Sequence, residues 1–260
     1  MADFKNYQNR VAQSNAQTGA MIDEGLRTYM TKVYNLMAIG MAITGLAAYM
    51  IAALATTKDP AAAVTYFGNG IGLTSLGAAL YLSPLRWVVM LAPLGLVFFL
   101  SYRIQKMSVP AAQATFWGYA ALMGISLSSI FLVYTGQSIV QTFFVTAASF
   151  GALSLYGYTT KKDLSGMGSF LIMGLFGLII ASIVNIFLQS SAMGFAISVI
   201  GVLIFAGLTA YDTQKIKEMY FDGDDVVVAG RKAIMGALTL YLDFLNMFMF
   251  LLQFLGNRNN

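Results

Sequence analysis

The sequence predicts an all-α integral membrane protein of seven transmembrane helices, and three observations carry that reading. Charged residues fill only 10% of the 260 positions and hydrophobic ones 58%, whereas an ordinary soluble domain is roughly 25% charged. Uncharged stretches long enough to cross a hydrocarbon core of about 30 Å, about 20 residues as a helix, recur from Val33 to the C-terminus. The basic residues sit between these stretches, where they set orientation in a bilayer. They form no patch, so the net charge of +4 gives no ground for a nucleic-acid partner.

Residues 1–32 are polar and rich in Gln and Asn, and they lack the short apolar core and cleavage site of a signal peptide. They are expected to form a polar cytoplasmic tail ahead of a transmembrane domain of residues 33–260. The first span runs from Val33 to Thr56 and is stopped by Lys58, Asp59 and Pro60. The next uncharged stretch, Ala61 to Leu85, is interrupted by Gly68, Asn69, Gly70 and Gly72, and is expected to be a loop or re-entrant segment over the bundle. The second span lies between Arg86 and Arg103 with Pro93 inside it, where neighbours must satisfy a freed carbonyl. Spans three to six are expected at Pro110–Tyr134, Ile139–Thr160, Gly168–Leu188 and Ser191–Tyr211, and the seventh at Ala233–Gly256. Glycines inside the spans, such as Gly118 and Gly124, Gly151 and Gly157, Gly174 and Gly177, Gly201 and Gly207, let helix backbones approach closely in lipid.

Orientation follows from the basic residues. With seven spans, one side carries twelve, Lys5, Arg10, Arg27, Lys32, Arg103, Lys106, Lys161, Lys162, Lys215, Lys217, Arg231 and Lys232, and the other carries three, Lys58, Arg86 and Arg258. That bias places the N-terminus in the cytoplasm and the C-terminus outside. An eighth span at Ala61–Leu85 would split the charges almost evenly, so the bias also supports seven.

The chain has no cysteine and no histidine. Disulfides, thiol nucleophiles, the commonest metal ligand and every Ser–His or Cys–His catalytic arrangement are therefore excluded, and proton chemistry falls to carboxylates. No cofactor and no enzymatic activity are expected.

An ionisable residue inside a span costs roughly 2.5–3.5 kcal/mol at mid-membrane, so it marks a functional site by default. Asp243 lies near the middle of the otherwise uncharged segment AIMGALTLYLDFLNMFMFLLQFLG. At about 100° per residue, Thr239, Asp243, Asn246, Phe250 and Gln253 fall on one face, so Thr239, Asn246 and Gln253 are candidate polar lining. The alternative role for Asp243 is a protonated acid gluing helices together. Asp212, in AYDTQKIK, falls where the sixth span meets the loop and by itself reads as a solvated helix-end carboxylate. Arg103, in FFLSYRIQKMS, closes the second span on the same side, as a snorkelling boundary arginine or as a partner for Asp212. Spacing leaves open whether Asp212 and Asp243 meet: Asp212 is three residues before Lys215, Asp243 eleven after Lys232, depths of about 5 and 16 Å. The run Asp222, Asp224, Asp225 lacks EF-hand spacing and reads as a solvated turn.

In FGALSLYGYTTKKDLS, AYDTQKIK and LYLDFLNMFMFLLQFLG the chain resembles the Bax inhibitor-one family, also called the transmembrane Bax-inhibitor-motif family, in its bacterial form. The match spans nearly all of Val33 to Gly256. The resemblance implies a central seventh helix wrapped by six others, a bacterial inner-membrane location and a pH-sensitive calcium leak. It brings Asp212 and Asp243 together as a gating pair and possible calcium ligands, and makes Arg103 a latch on Asp212. One departure is Ala92-Pro93-Leu94-Gly95-Leu96, where many relatives carry a glutamate; a pore-lining acid is missing here.

Three functions compete. In the first, a proton shared by the coupled pair closes a seal between the sixth and seventh helices, and its loss or a Ca²⁺ ion, a hard cation suited to oxygen ligands, breaks it. In the second, the chain transports nothing and regulates a membrane protease, another membrane protein or a cell-death and stress pathway. The third, an intramembrane aspartyl protease, is supported by Tyr211-Asp212 but opposed by LYLD, which is not the Gly-x-Gly-Asp of such enzymes. The partners expected are the lipid bilayer, calcium ions and protons.

Overall fold

The computed structural model describes residues 2–68 and 70–259, with side chains described from Asp23 onward. Met1 of the tail, Asn69 of the glycine-rich segment and Asn260 lie outside the described residues. Helix α1 runs unbroken over Ala2–Ala55, so the polar segment continues as helix into the first span. Next come strands β1 (Thr56–Thr57), β2 (Thr65–Tyr66) and β3 (Gly72–Leu73) and a short helix α2 (Ser75–Tyr81). The remaining helices are α3 (Leu85–Arg103), α4 (Val109–Leu127), α5 (Ile130–Val133), α6 (Gly136–Thr159), α7 (Ser165–Leu188), α8 (Ser191–Glu218) and α9 (Val226–Leu255). Seven segments are long and apolar enough to cross a membrane, Asp23–Ala55, Leu85–Lys106, Val109–Val133 and helices α6 to α9, so the chain is an all-α multi-pass membrane protein.

The stretch after the first span does not cross. Its backbone groups pair in a three-stranded antiparallel sheet of order β1-β3-β2, with Thr56 and Thr65 both opposite Leu73. Thr74 starts α2 by accepting from the Gly77 N–H. The result is a folded cap on the face opposite the N-terminus.

Side chains mark the helix ends. Ser108, Thr135, Ser190 and Asp225 each accept a first-turn N–H of α4, α6, α8 and α9, satisfying donors that a helix start leaves orphaned. Gln189, at φ 51°, ends α7 in the left-handed region. The seventh helix begins seven residues before the expected Ala233, and the sixth continues seven past Tyr211 to Glu218. Hydropathy misplaced both ends because Lys217, Arg231 and Lys232 are helical residues that reach polar partners while their backbones stay in the bundle. The Lys217 ammonium donates to the Tyr158 carbonyl (2.8 Å), Arg231 Nε to that of Met107 (2.8 Å), and Lys232 to that of Met219 (3.0 Å).

The C-terminal helix is central: α1, α4, α6 and α8 pack on it, α3 packs chiefly on α4, and α7 chiefly on α8. The expected ring of six is thus four inner helices with two outside. Tyr241, fully buried on α9, meets Phe116 and Tyr119 edge-on. The Thr44 hydroxyl donates to the Ala120 carbonyl (2.8 Å) and so accepts from the Tyr241 hydroxyl (2.6 Å), joining three helices. Two glycines let the backbones of spanning helices come close together: a Cβ at Gly157 would overlap the Ala210 carbonyl, and one at Gly124 the Thr44 carbonyl. Gly118, Gly151 and Gly177 meet nothing, so only one member of those glycine pairs packs.

Candidate functional site: a carboxyl pair in the crevice between α7, α8 and α9

Every helical Cα–Cβ bond tilts toward its own N-terminus. Helices α8 and α9 are antiparallel neighbours, so the side chains of Asp212 and Asp243 tilt toward each other. Gly236 lies against Ile216, and the Phe250 ring lies over Gly201. These two contacts fix the register and leave Asp243 roughly one turn deeper than Asp212, a step the converging side chains close. The two carboxyl groups lie within hydrogen-bonding range of one another.

The apparent mismatch in depth has a structural cause. From Asp212 to Met219 is seven residues, about 10 Å of helix, and from Lys232 to Asp243 eleven, about 16 Å. The one-turn offset of Asp243 takes up most of the difference, so Lys232 stands near the C-terminal end of α8, where its ammonium donates to the Met219 carbonyl (3.0 Å) and pairs with Asp224 (2.5 Å). That pairing also gives Asp224 a role beyond a solvated turn.

The pair sits in a crevice of about 540 Å³. Thr239, Asp243, Asn246 and Phe250 of α9 line it, with Tyr211, Asp212 and Lys215 of α8. The α7 wall is apolar except for Ser182. Asp243 is 5% exposed, and its Oδ2 has no protein donor among the described residues. Asp212 is partly exposed, and Lys215, one turn on, lies close enough to act on its charge. The Thr239 hydroxyl donates to the Met235 carbonyl (3.1 Å) and the Asn246 amide to that of Leu242 (2.8 Å). Both therefore keep oxygen lone pairs for the crevice. Asp212, Asp243, Thr239 and Asn246 thus offer up to six side-chain oxygens and no nitrogen ligand. No group of three or more His, Cys, Asp or Glu gathers among the described residues.

Two expected site residues lie elsewhere. Gln253 is exposed and does not line the crevice; it lies beside Gly194, beyond the apolar layer that Phe250 forms over Gly201. Arg103 is exposed at the end of α3, and among the described residues the single ion pair is Lys232–Asp224. The arginine latch is therefore not formed. Its physical reason is position, since α3 packs on α4, on the far side of the bundle's inner layer from α8. The cation beside Asp212 is Lys215, which spacing alone reveals, being three residues on along the same helix. The α7 wall carries no sequence signal, because a uniformly apolar span looks the same whether it faces lipid or a crevice.

A second polar cluster also went unread. Buried Gln214 accepts from the Leu164 N–H (2.8 Å) and donates to the Lys162 carbonyl (2.8 Å), pinning the turn between α6 and α7 onto α8. Thr213 donates to the Thr209 carbonyl (2.7 Å), so it accepts from Ser154 (2.9 Å), which accepts from Tyr34 (2.6 Å). Helix α8 is thus clamped on the face turned away from Asp212.

Comparison with known proteins places this architecture. Residues 26–260 match the family model described as "Inhibitor of apoptosis-promoting Bax1". The chain is 46% identical to the Escherichia coli inner membrane protein YbhL over 90% of its own length and 93% of the relative's. It is 47% identical to protein RP147 of Rickettsia prowazekii, over 92% and 93% of the two chains. Protein YrjE of Lactococcus lactis is 36% identical over 90% and 92%. A match over nearly the whole chain, on a seven-span bundle around a central C-terminal helix, makes this protein a member of the Bax inhibitor-one family.

Proposed function

We propose that the protein is a pH-sensitive calcium leak of a bacterial inner membrane, and that the Asp212–Asp243 pair is its gate. The observation that carries this reading is the meeting of two carboxyl groups inside a span, one with an oxygen that no protein donor serves. Ionised carboxylates only accept hydrogen bonds, so a bond between them requires a proton. With the proton in place α8 and α9 are joined. Without it two like charges face each other, and the helices separate or a cation enters between them. Thr239 and Asn246 add oxygens for a hard cation, and water completes its shell. A site of so few ligands holds calcium briefly, as a pathway requires. The sign is fixed by the proton: flux rises as pH rises. Lys215 rather than Arg103 tunes the pair. The reading includes no catalytic step, and the face bearing the N-terminus is cytoplasmic.

The test is calcium uptake by liposomes containing the purified protein, with pH varied from acid to alkaline. Uptake above that of protein-free liposomes, increasing with pH, is the expected result. Absence of uptake at every pH would overturn it.

A further inference from the structure

A second crevice separates α1 from α6. Both helices pack on α9, yet between them lies a space of about 630 Å³. Its α1 wall is a single stripe, Arg27, Met30, Thr31 and Tyr34, spaced at three and four residues. The antiparallel α6 wall presents Tyr158 opposite Arg27, then Leu155, Gly151 and Phe150 progressively deeper. The cationic group thus lies at one end, and the walls run inward for about 10–12 Å, apolar except where the Tyr34 hydroxyl bonds Ser154 across the crevice (2.6 Å).

The polar end lies at headgroup depth. Arg27 lies six residues, about 9 Å of helix, ahead of Val33, where the uncharged stretch of the first span begins. Its guanidinium has no ion-pair partner among the described residues. The Lys217 ammonium lies over the Tyr158 ring (5.6 Å), adding positive charge at the same rim. Deeper in, Leu155 is 62% exposed and the Phe150 ring packs on Phe244 of the central helix. A Cβ at Gly151 would meet nothing, so protein packing does not fill that part of the crevice.

We infer that this crevice is a binding site for an anionic phospholipid, its phosphate on Arg27 and the upper part of one acyl chain along Met30, Phe150, Gly151 and Leu155. Charge complementarity selects the headgroup, because an unpaired arginine matches a phosphate with two parallel donors. The apolar depth selects a lipid over a free anion. An acyl chain seated there lies against Phe150, and through it against the α9 turn next to Asp243, which gives bilayer composition a physical route to the central helix.

The experiment uses the full chain reconstituted with phosphatidylglycerol or with phosphatidylcholine, then extracted into mild detergent, with retained lipid counted by native mass spectrometry. Wild type is expected to retain one phosphatidylglycerol and little phosphatidylcholine. Arg27→Gln should reduce retention roughly tenfold, the equivalent of one lost charge-assisted hydrogen bond. Gly151→Leu should reduce it by filling the space, while Arg258→Gln, at the opposite membrane face, should change nothing. Inorganic phosphate at millimolar concentration should not displace the lipid. Equal retention of the two lipids, unchanged retention in both Arg27→Gln and Gly151→Leu, or displacement by phosphate alone would each overturn the proposal. Should Gly151→Leu fail to fold, Arg27→Gln decides.

Discussion

Replacing Asp243 by Asn isolates the pair. Two ionised carboxylates at hydrogen-bonding range, about 2.7 Å between oxygens, repel by about 6 kcal/mol at an effective dielectric constant of ~20. That repulsion disfavours the doubly ionised state, and its appearance with rising pH is what opens the gate. Asn has the size of the protonated acid, cannot ionise, and offers an N–H that donates to Asp212 whether or not that group is charged. The α8–α9 bond then persists at every pH. Asp243→Asn should therefore show low calcium flux that stays flat with pH, where wild type rises. Asp212→Asn should do the same, and the double variant should be little worse than either, because the two residues act as one unit. The assay is dye-reported calcium uptake in proteoliposomes, with monodisperse elution and retained helicity as controls. A wild-type pH response in both single variants, or additive loss in the double, would refute the coupled pair and leave Asp243 as a structural tie between helices.

The neighbouring cation gives a sharper contrast. Lys215→Gln should move the rise in flux to more alkaline pH, since the negative pair loses a nearby positive charge, whereas Arg103→Gln, unpaired here, should leave the pH profile in place. Reporter fusions after Lys106, Lys162 and Asp222 should report the cytoplasm, and one after Asn260 the outside; a cytoplasmic C-terminus would break the assignment of faces. Gly157→Val should lower thermal stability by about 1–3 kcal/mol, the usual cost of overpacking, because its side chain would enter the Ala210 carbonyl. A variant as stable as wild type would show that α6 and α8 are not in close contact. Asp163, outside the spans, accepts from the hydroxyl and N–H of Ser165, and these hold its carboxyl below the usual carboxylate range. Its support of the α7 start is complete above about pH 4, the ordinary aspartate value, and is lost as pH falls through the lower one. Hydrogen exchange at the amides of residues 164–168 should accelerate across that acid window relative to Asp163→Asn, and identical profiles would remove Asp163 as the cause.

Sequence by itself determined the class, the number of spans and the outstanding site residue, because each rests on a transfer energy that is local. A segment of 24 residues that is uncharged apart from Asp243 must be in lipid or buried, and that lone Asp243 must have a partner. The twelve-to-three division of basic residues likewise excluded a crossing at Ala61–Leu85, which the sheet of β1 to β3 explains by pairing the backbone locally. Thr239 and Asn246 were legible from helical period alone. Gln253 followed the same period, but a period gives a direction around an axis and says nothing of how far along it a crevice extends. The partner of Asp243 was not legible, because the depth of Asp212 depends on where α8 and α9 truly end, and charged residues such as Lys217 and Lys232 stay helical by reaching carbonyls that only the folded bundle supplies. The choice of Lys215 over Arg103 beside Asp212, the apolar α7 wall and the opening between α1 and α6 were decided by which helices touch. That order is set by the summed packing of glycines, ring edges and buried hydroxyls across several helices, a property no single stretch of sequence contains.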